Sequence, residues 1–151
     1  MTDMEHIIIP DLLDKRVEVH LVGVGGNGAQ MAACLARLDI AMRALGHPHG
    51  LHVTAFDADR VSEANVGQYK SIVSVHRLNL FYGLDWSAVP QRYEVVQEAR
   101  PYGRGADILI SCVDSRAARR QLHRSAFDRF SGFRYWLDLG NTESGAQVVL
   151  G

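Results

Sequence analysis

Apolar positions along this chain come in two alternating kinds of run, short continuous ones and longer ones with a helical period. Arg16–Gly23 and Leu51–Asp57 read as strands. Between them Asn27–Leu45 reads as a helix with Met31, Leu35, Leu38, Met42 and Leu45 on one face. The segment Gly46-His47-Pro48-His49-Gly50 supplies the glycine and proline that close it. Lys70–Tyr82 reads as a helix, Tyr93–Gln97 as a short strand and Ala106–Val113 as a continuous apolar strand. Ser115 is placed to cap a helix running to about Phe130, Phe133–Leu139 reads as a strand, and Ala146–Leu150 opens one more. Strands separated by helices predict an α/β, Rossmann-like, doubly wound and mostly parallel sheet with helices on both faces. The 151 residues suit a single domain. A strand pattern still running at Val148-Val149-Leu150-Gly151 predicts a domain cut short at its C-terminus.

Chemistry concentrates where these strands end. The first runs into Gly23-Val24-Gly25-Gly26-Asn27-Gly28, and a helical pattern begins at once. Glycines let the backbone turn tightly and approach a phosphate with no Cβ in the way. The following helix points unpaired N–H groups and the positive end of its dipole at the anion. The second strand ends in Asp57-Ala58-Asp59. Asp57 is placed to accept hydrogen bonds from ribose hydroxyls, and Asp59 is a candidate for the same nucleotide, for a turn or for a metal. The strand at 106–113 ends in Cys112-Val113-Asp114-Ser115. In an open parallel sheet it faces the same crevice as the glycine turn. A carboxylate facing phosphates is repulsive unless a divalent cation lies between them, so Asp114 is the candidate ligand of Mg²⁺, with helix capping as the alternative.

Taken together, the glycine turn, Asp57-Ala58-Asp59-Arg60-Val61-Ser62-Glu63-Ala64-Asn65 and Cys112-Val113-Asp114-Ser115 resemble the ThiF/MoeB/ubiquitin-activating-enzyme superfamily over nearly the whole chain. The segments at 46–55 and 78–86 are similar to the ThiF-related proteins of plasmid-borne PRTRC cassettes. The resemblance implies ATP and Mg²⁺, and adenylation of the C-terminal carboxylate of a small ubiquitin-like or sulfur-carrier protein. It implies that Gly23, Gly25, Gly26, Asn27 and Gly28 hold phosphate, that Asp57 with Asp59 serves the nucleotide, that Asn65 holds a phosphate and that Asp114 holds the metal. Gly67-Gln68-Tyr69-Lys70 resembles the family's Gly-x-x-Lys, making Lys70 the phosphate lysine and, with Asp114, the expected catalytic pair. A homodimer is implied too. The chain departs from the family between Asn65 and Lys70, where an Arg-Gln pair is missing and the connection is shorter by about ten residues.

Composition narrows the field. Hydrophobic residues at 47% and charged residues at 22% are those of an ordinary globular domain. A net charge of −1 gives no reason to expect nucleic acid or an anionic membrane, and no apolar run reaches the length of a span. The acidic, polar N-terminus reads as no signal peptide, so a cytoplasmic protein is expected; a bacterial source is what the PRTRC resemblance implies. Cys34 and Cys112, the two cysteines, read as buried small hydrophobes. Arg116, Arg120 and Arg124 read as a solvated helix face, with a partner or phosphate surface as the alternative. Arg119 matches an arginine five residues after the family's metal aspartate, and the resemblance implies a structural role for it. His47, His49 and His52 have loosely metal-like spacing but no acidic or thiol ligand near them in sequence. Phe81, Tyr82 and Trp86 read as cover for the core edge. The alternatives are an NAD-binding domain of a dehydrogenase or redox regulator, and an inactive nucleotide-binding scaffold.

Overall fold

A computed structural model describes residues 5–61, 68–93, 105–127, 132–141 and 145–151. Its elements are α1 (Asp11–Asp14), β1 (Val17–Val22), α2 (Gly26–Ala44), β2 (Leu51–Phe56), α3 (Lys70–Tyr82), β3 (Ser87–Val89), β4 (Ile108–Ser111), α4 (Arg116–Ala126), β5 (Tyr135–Asn141) and β6 (Ala146–Leu150). The six strands lie in the order β3-β2-β1-β4-β5-β6. Every pairing is parallel except β5 with β6. The order reverses between β1 and β4, the switch point where a doubly wound sheet leaves a crevice beyond its carboxyl ends.

The two faces of the sheet carry separate cores. Val17, Val19 and Leu21 of β1, with Leu51, Val53 and Ala55 of β2, bury against Ala32, Leu35 and Ala36 of α2 and Val75 of α3. On the other face Val22, Leu109 and Trp136 pack on Leu122 and Ala126 of α4. The alternation of buried and half-buried positions along β1 and β2 shows why these strands are central.

Several boundaries and faces differ from the sequence reading. The buried side of α2 runs through Gly28, Ala32, Leu35, Ala36 and Asp39, whereas Leu38 and Leu45 are 48% and 89% exposed. The rotation follows from Asp39, whose buried carboxylate accepts the Leu51 N–H at 2.6 Å and pairs with Arg43 at 2.9 Å. Cys34 falls off that buried face and is exposed, while Cys112 is half-buried. The third strand is Ser87–Val89, not Tyr93–Gln97; Tyr93 lies outside any strand and 94–97 lie outside the described residues. Trp86 is buried just ahead of that strand and donates its indole N–H to the Leu51 carbonyl at 3.3 Å. Phe81, in contrast, is 81% exposed, its ring edge-on to Tyr82 with centroids 4.7 Å apart. Helix α4 ends at Ala126, short of Phe130, where the Phe127 N–H closes on the His123 carbonyl.

Candidate nucleotide site

Three strand ends converge on the glycine turn. The Gly23 N–H donates to the Phe56 carbonyl at 2.9 Å, and the Cys112 N–H donates to the Val22 carbonyl at 2.8 Å. Gly23 has φ +87°, and a Cβ there would lie 2.9 Å from the Cys112 carbonyl oxygen. A Cβ on Gly28 would lie 1.8 Å from the Gly23 carbonyl oxygen, because α2 starts hard against the turn. These two glycines are required by the protein's own backbone.

Gly25 and Gly26 are different. A Cβ on either would meet nothing within 4 Å. They border open space at the start of the 19-residue α2, whose N-cap, Gly25, offers no side-chain hydrogen bond. Asn27 follows, exposed in the first turn. N–H groups at a helix start, the positive end of a helix dipole and room beside the backbone are what an anionic phosphate needs.

Asp57 sits at the end of β2 and ties the loops together. Its carboxylate accepts the Val24 N–H at 2.6 Å and the Asp59 N–H at 2.8 Å. Its own carbonyl accepts the hydroxyl of the buried Ser71 at 3.2 Å. Each carboxylate oxygen has a further lone pair, so these bonds orient the group and leave it able to accept from a sugar hydroxyl.

The described residues on either side of 62–67 pair with one another. Arg60 bridges Tyr69 in antiparallel fashion, and the Val61 N–H donates to the Gln68 carbonyl at 2.9 Å. The Arg60 guanidinium lies over the Tyr69 ring, 5.0 Å from its centre. That pairing brings Lys70, the first residue of α3, to Asp59. Their backbones meet at 2.9 Å and their side chains form an ion pair of 3.1 Å, both partly exposed. Asn65, expected on a phosphate, lies outside the described residues, as does Gly67.

Asp114 is exposed just past β4. Two residues earlier, Cys112 has its carbonyl against Gly23, which brings the β4 loop up to the glycine turn. Ser115 caps α4 by accepting the Ala118 N–H at 3.4 Å. Beneath the loop lies a charged network that pattern reading had split apart. Asp138 of β5, wholly buried, accepts the Ser111 hydroxyl and pairs with Arg119 of α4 at 2.7 Å. A lone carboxylate in the apolar run Trp136-Leu137-Asp138-Leu139 was the available signal. Burial, with the Asp138 charge as a smaller contribution, pushes the Cys112 thiol up to about 12, so it is no thiolate nucleophile.

The remaining candidates are structural. His47 accepts the Gly50 N–H on Nδ1 at 2.9 Å and donates Nε2–H to the Leu12 carbonyl at 2.9 Å. His52 meets Glu18 at 2.8 Å across β1 and β2. Among the described residues no group of three or more His, Cys, Asp or Glu is arranged to hold a metal. A cleft of about 470 Å³ opens at the opposite end of the sheet, lined in part by Arg16, Asp39, Arg43 and Asp85. Its charges are already paired, Arg16 with Asp85 and Arg43 with Asp39. The bond from Arg16 holds the Asp85 carboxyl below its ordinary value.

Sheet order, switch-point crevice and uncapped glycine turn define a doubly wound α/β domain of the Rossmann type. No family model matches the chain, and no curated protein matches it. Solved structures do. The E. coli tRNA N6-threonylcarbamoyladenosine dehydratase, TcdA, is 22% identical with a TM-score of 0.55, covering 73% of this chain and 47% of that one. A structure described as TcdA (CsdL) gives 22% and 0.54 over 73% and 44%. The E. coli enzyme in complex with AMP gives 24% and 0.51 over 72% and 46%. The chain thus spans less than half the length of these solved proteins. The likeness lies in the fold, and at that level the resemblance read from the three motifs is borne out. Among the described residues no helix is long and apolar enough to cross a membrane.

Proposed function

We propose that the crevice between β1 and β4 binds Mg·ATP and that the domain adenylates a carboxylate, that of the C-terminus of a small ubiquitin-like or sulfur-carrier protein. The observation that carries the reading is the open space over Gly25 and Gly26 at an uncapped helix start, with the oriented Asp57 on one side and the Asp114 loop on the other. The AMP held by a solved protein of the same fold supports an adenine nucleotide. In the reaction a carboxylate oxygen attacks the α-phosphorus, the bond to the β-phosphate oxygen breaks, and pyrophosphate leaves. Both reactants are anions, so the site must supply positive charge and fixed N–H donors. The α2 N-terminus supplies the donors, Asp57 the sugar contact and Lys70 a cation once a phosphate draws it from Asp59. Asp114 is a hard oxygen ligand suited to Mg²⁺, which when bound would neutralise phosphate charge.

A carrier-dependent ATP–pyrophosphate exchange assay tests the reading, with a tRNA arm prompted by the name of the solved relatives. Exchange with a carrier protein is the expected result. Binding of NAD in preference to ATP, without Mg²⁺ dependence, would replace it with the dehydrogenase-type reading. A second reading, a nucleotide-binding scaffold without turnover, is favoured by one observation: Lys70 is held in an ion pair by Asp59. Mg·ATP bound with no exchange would select it. The assembly proposed with the first reading is a homodimer, to be checked by light scattering at micromolar concentration.

A further inference from the structure

We infer that Arg119 and Asp138 are positioning residues that hold Asp114 at the nucleotide crevice, a buried charged brace acting on a surface carboxylate. The inference rests on the Mg·ATP reading above and adds to it the residues that would set metal affinity. Arg119 leaves the first turns of α4 and reaches back over the helix start. One arm of its guanidinium donates to the Val113 carbonyl at 3.0 Å. Its Nε lies 2.7 Å from the Asp138 carboxylate, an ion pair by charge and distance that lacks the alignment of a hydrogen bond. Asp138 is anchored in turn by the Ser111 hydroxyl, its register partner on β4. The other neighbour of Asp114 is pinned as well, because the Ser115 carbonyl accepts the Arg119 N–H at 3.0 Å and its hydroxyl caps α4. Asp114 is therefore bracketed by two residues fastened to the same arginine, while its own side chain stays at the surface.

The sequence of β5 has made room for the brace. A Cβ at Gly140 would lie 2.7 Å from the Arg119 Nη2 and 3.1 Å from its Cζ. A buried ion pair is seldom a gain in stability over an apolar pair of the same shape, so its retention calls for another use. Holding a ligand carboxylate in place is one, since outer partners of metal ligands affect affinity about 10–100-fold. A lysine at 119 keeps the charge but has no fork with which to reach both Asp138 and Val113.

The test is titration calorimetry on the full chain, measuring ATP affinity across a Mg²⁺ series, with AMP in EDTA as the metal-free control. Arg119→Lys and Gly140→Ala are the variants. The second displaces the guanidinium while leaving both charged residues in place. The expected result is that each raises the Mg²⁺ concentration for half-maximal ATP binding by about tenfold and leaves AMP affinity within about twofold of wild type. Equal losses of ATP and AMP affinity would mark a merely structural role and overturn the inference. So would wild-type Mg²⁺ dependence in both variants while Asp114→Asn loses it, an outcome that spares the Mg·ATP reading. Wild-type protein that binds no ATP, or binds it without Mg²⁺, would overturn both.

Discussion

Gly26 and Gly28, two residues apart, are glycine for opposite reasons, and substitution separates them. A methyl at Gly28 would collide with the Gly23 carbonyl at 1.8 Å, a backbone atom that cannot step aside. Gly28→Ala is expected to cost more than about 3 kcal/mol, read by urea denaturation. A methyl at Gly26 meets nothing, so Gly26→Ala is expected to leave the urea midpoint unchanged or higher while ATP affinity falls at least about tenfold. Unchanged affinity would move the phosphate elsewhere. The cysteines divide in the same way. Cys34 is exposed and Cys112 half-buried with its thiol pushed up to about 12. Iodoacetamide at pH 8 is therefore expected to modify Cys34 alone, as mapped by mass spectrometry. The folded thiol holds its proton more tightly than the unfolded one, whose ordinary value is 9.0. Its contribution to stability is complete below that value and is lost as pH rises from 9.0 towards about 12. Cys112→Ala should flatten that part of a stability–pH curve.

At the scale of the element, α2 is held at both ends by different devices. Its start has no side-chain cap, whereas its last turns are locked to β2 through Asp39, Arg43 and the Leu51 N–H. Gly50, at φ +61°, leaves room for that lock, since a Cβ there would lie 2.1 Å from the Asp39 carboxylate. Asp39→Ala strands the buried amide of Leu51 and releases the exposed Arg43 guanidinium to water, and about 1–3 kcal/mol of stability should go with it. Denaturant unfolding checks the figure, with Asp39→Asn expected to recover part of the loss through the retained carbonyl. The helical period of 27–45 was legible, but its buried face was not. Apolar residues at Leu38 and Leu45 point to solvent, and an acid at Asp39 points inward. Only the partner across the loop makes that carboxylate cheaper to bury than to solvate.

For the whole molecule, the proposed nucleotide binding is linked to folding by mass action. A ligand that binds only the native state at about a hundred times its Kd adds about 2.7 kcal/mol, or about 5–10 °C in Tm for a domain of this size. Mg·ATP should give such a shift in a thermal melt, and NAD at equal concentration should not; the reverse order would favour the dehydrogenase reading. The sequence by itself determined the alternation of strands and helices, the glycine turn, and the carboxylates at the ends of two strands. These are local properties: a period, a missing Cβ, a charge where an apolar run stops. Tertiary structure alone decided the strand order that gathers Gly23, Phe56 and Cys112 at one edge. It also decided that Asp59 holds Lys70, and that Arg119 braces the Asp114 loop through Asp138. Those outcomes join residues distant in sequence. They depend on which charges find a partner when water is excluded, an energy that no single segment carries in its own pattern.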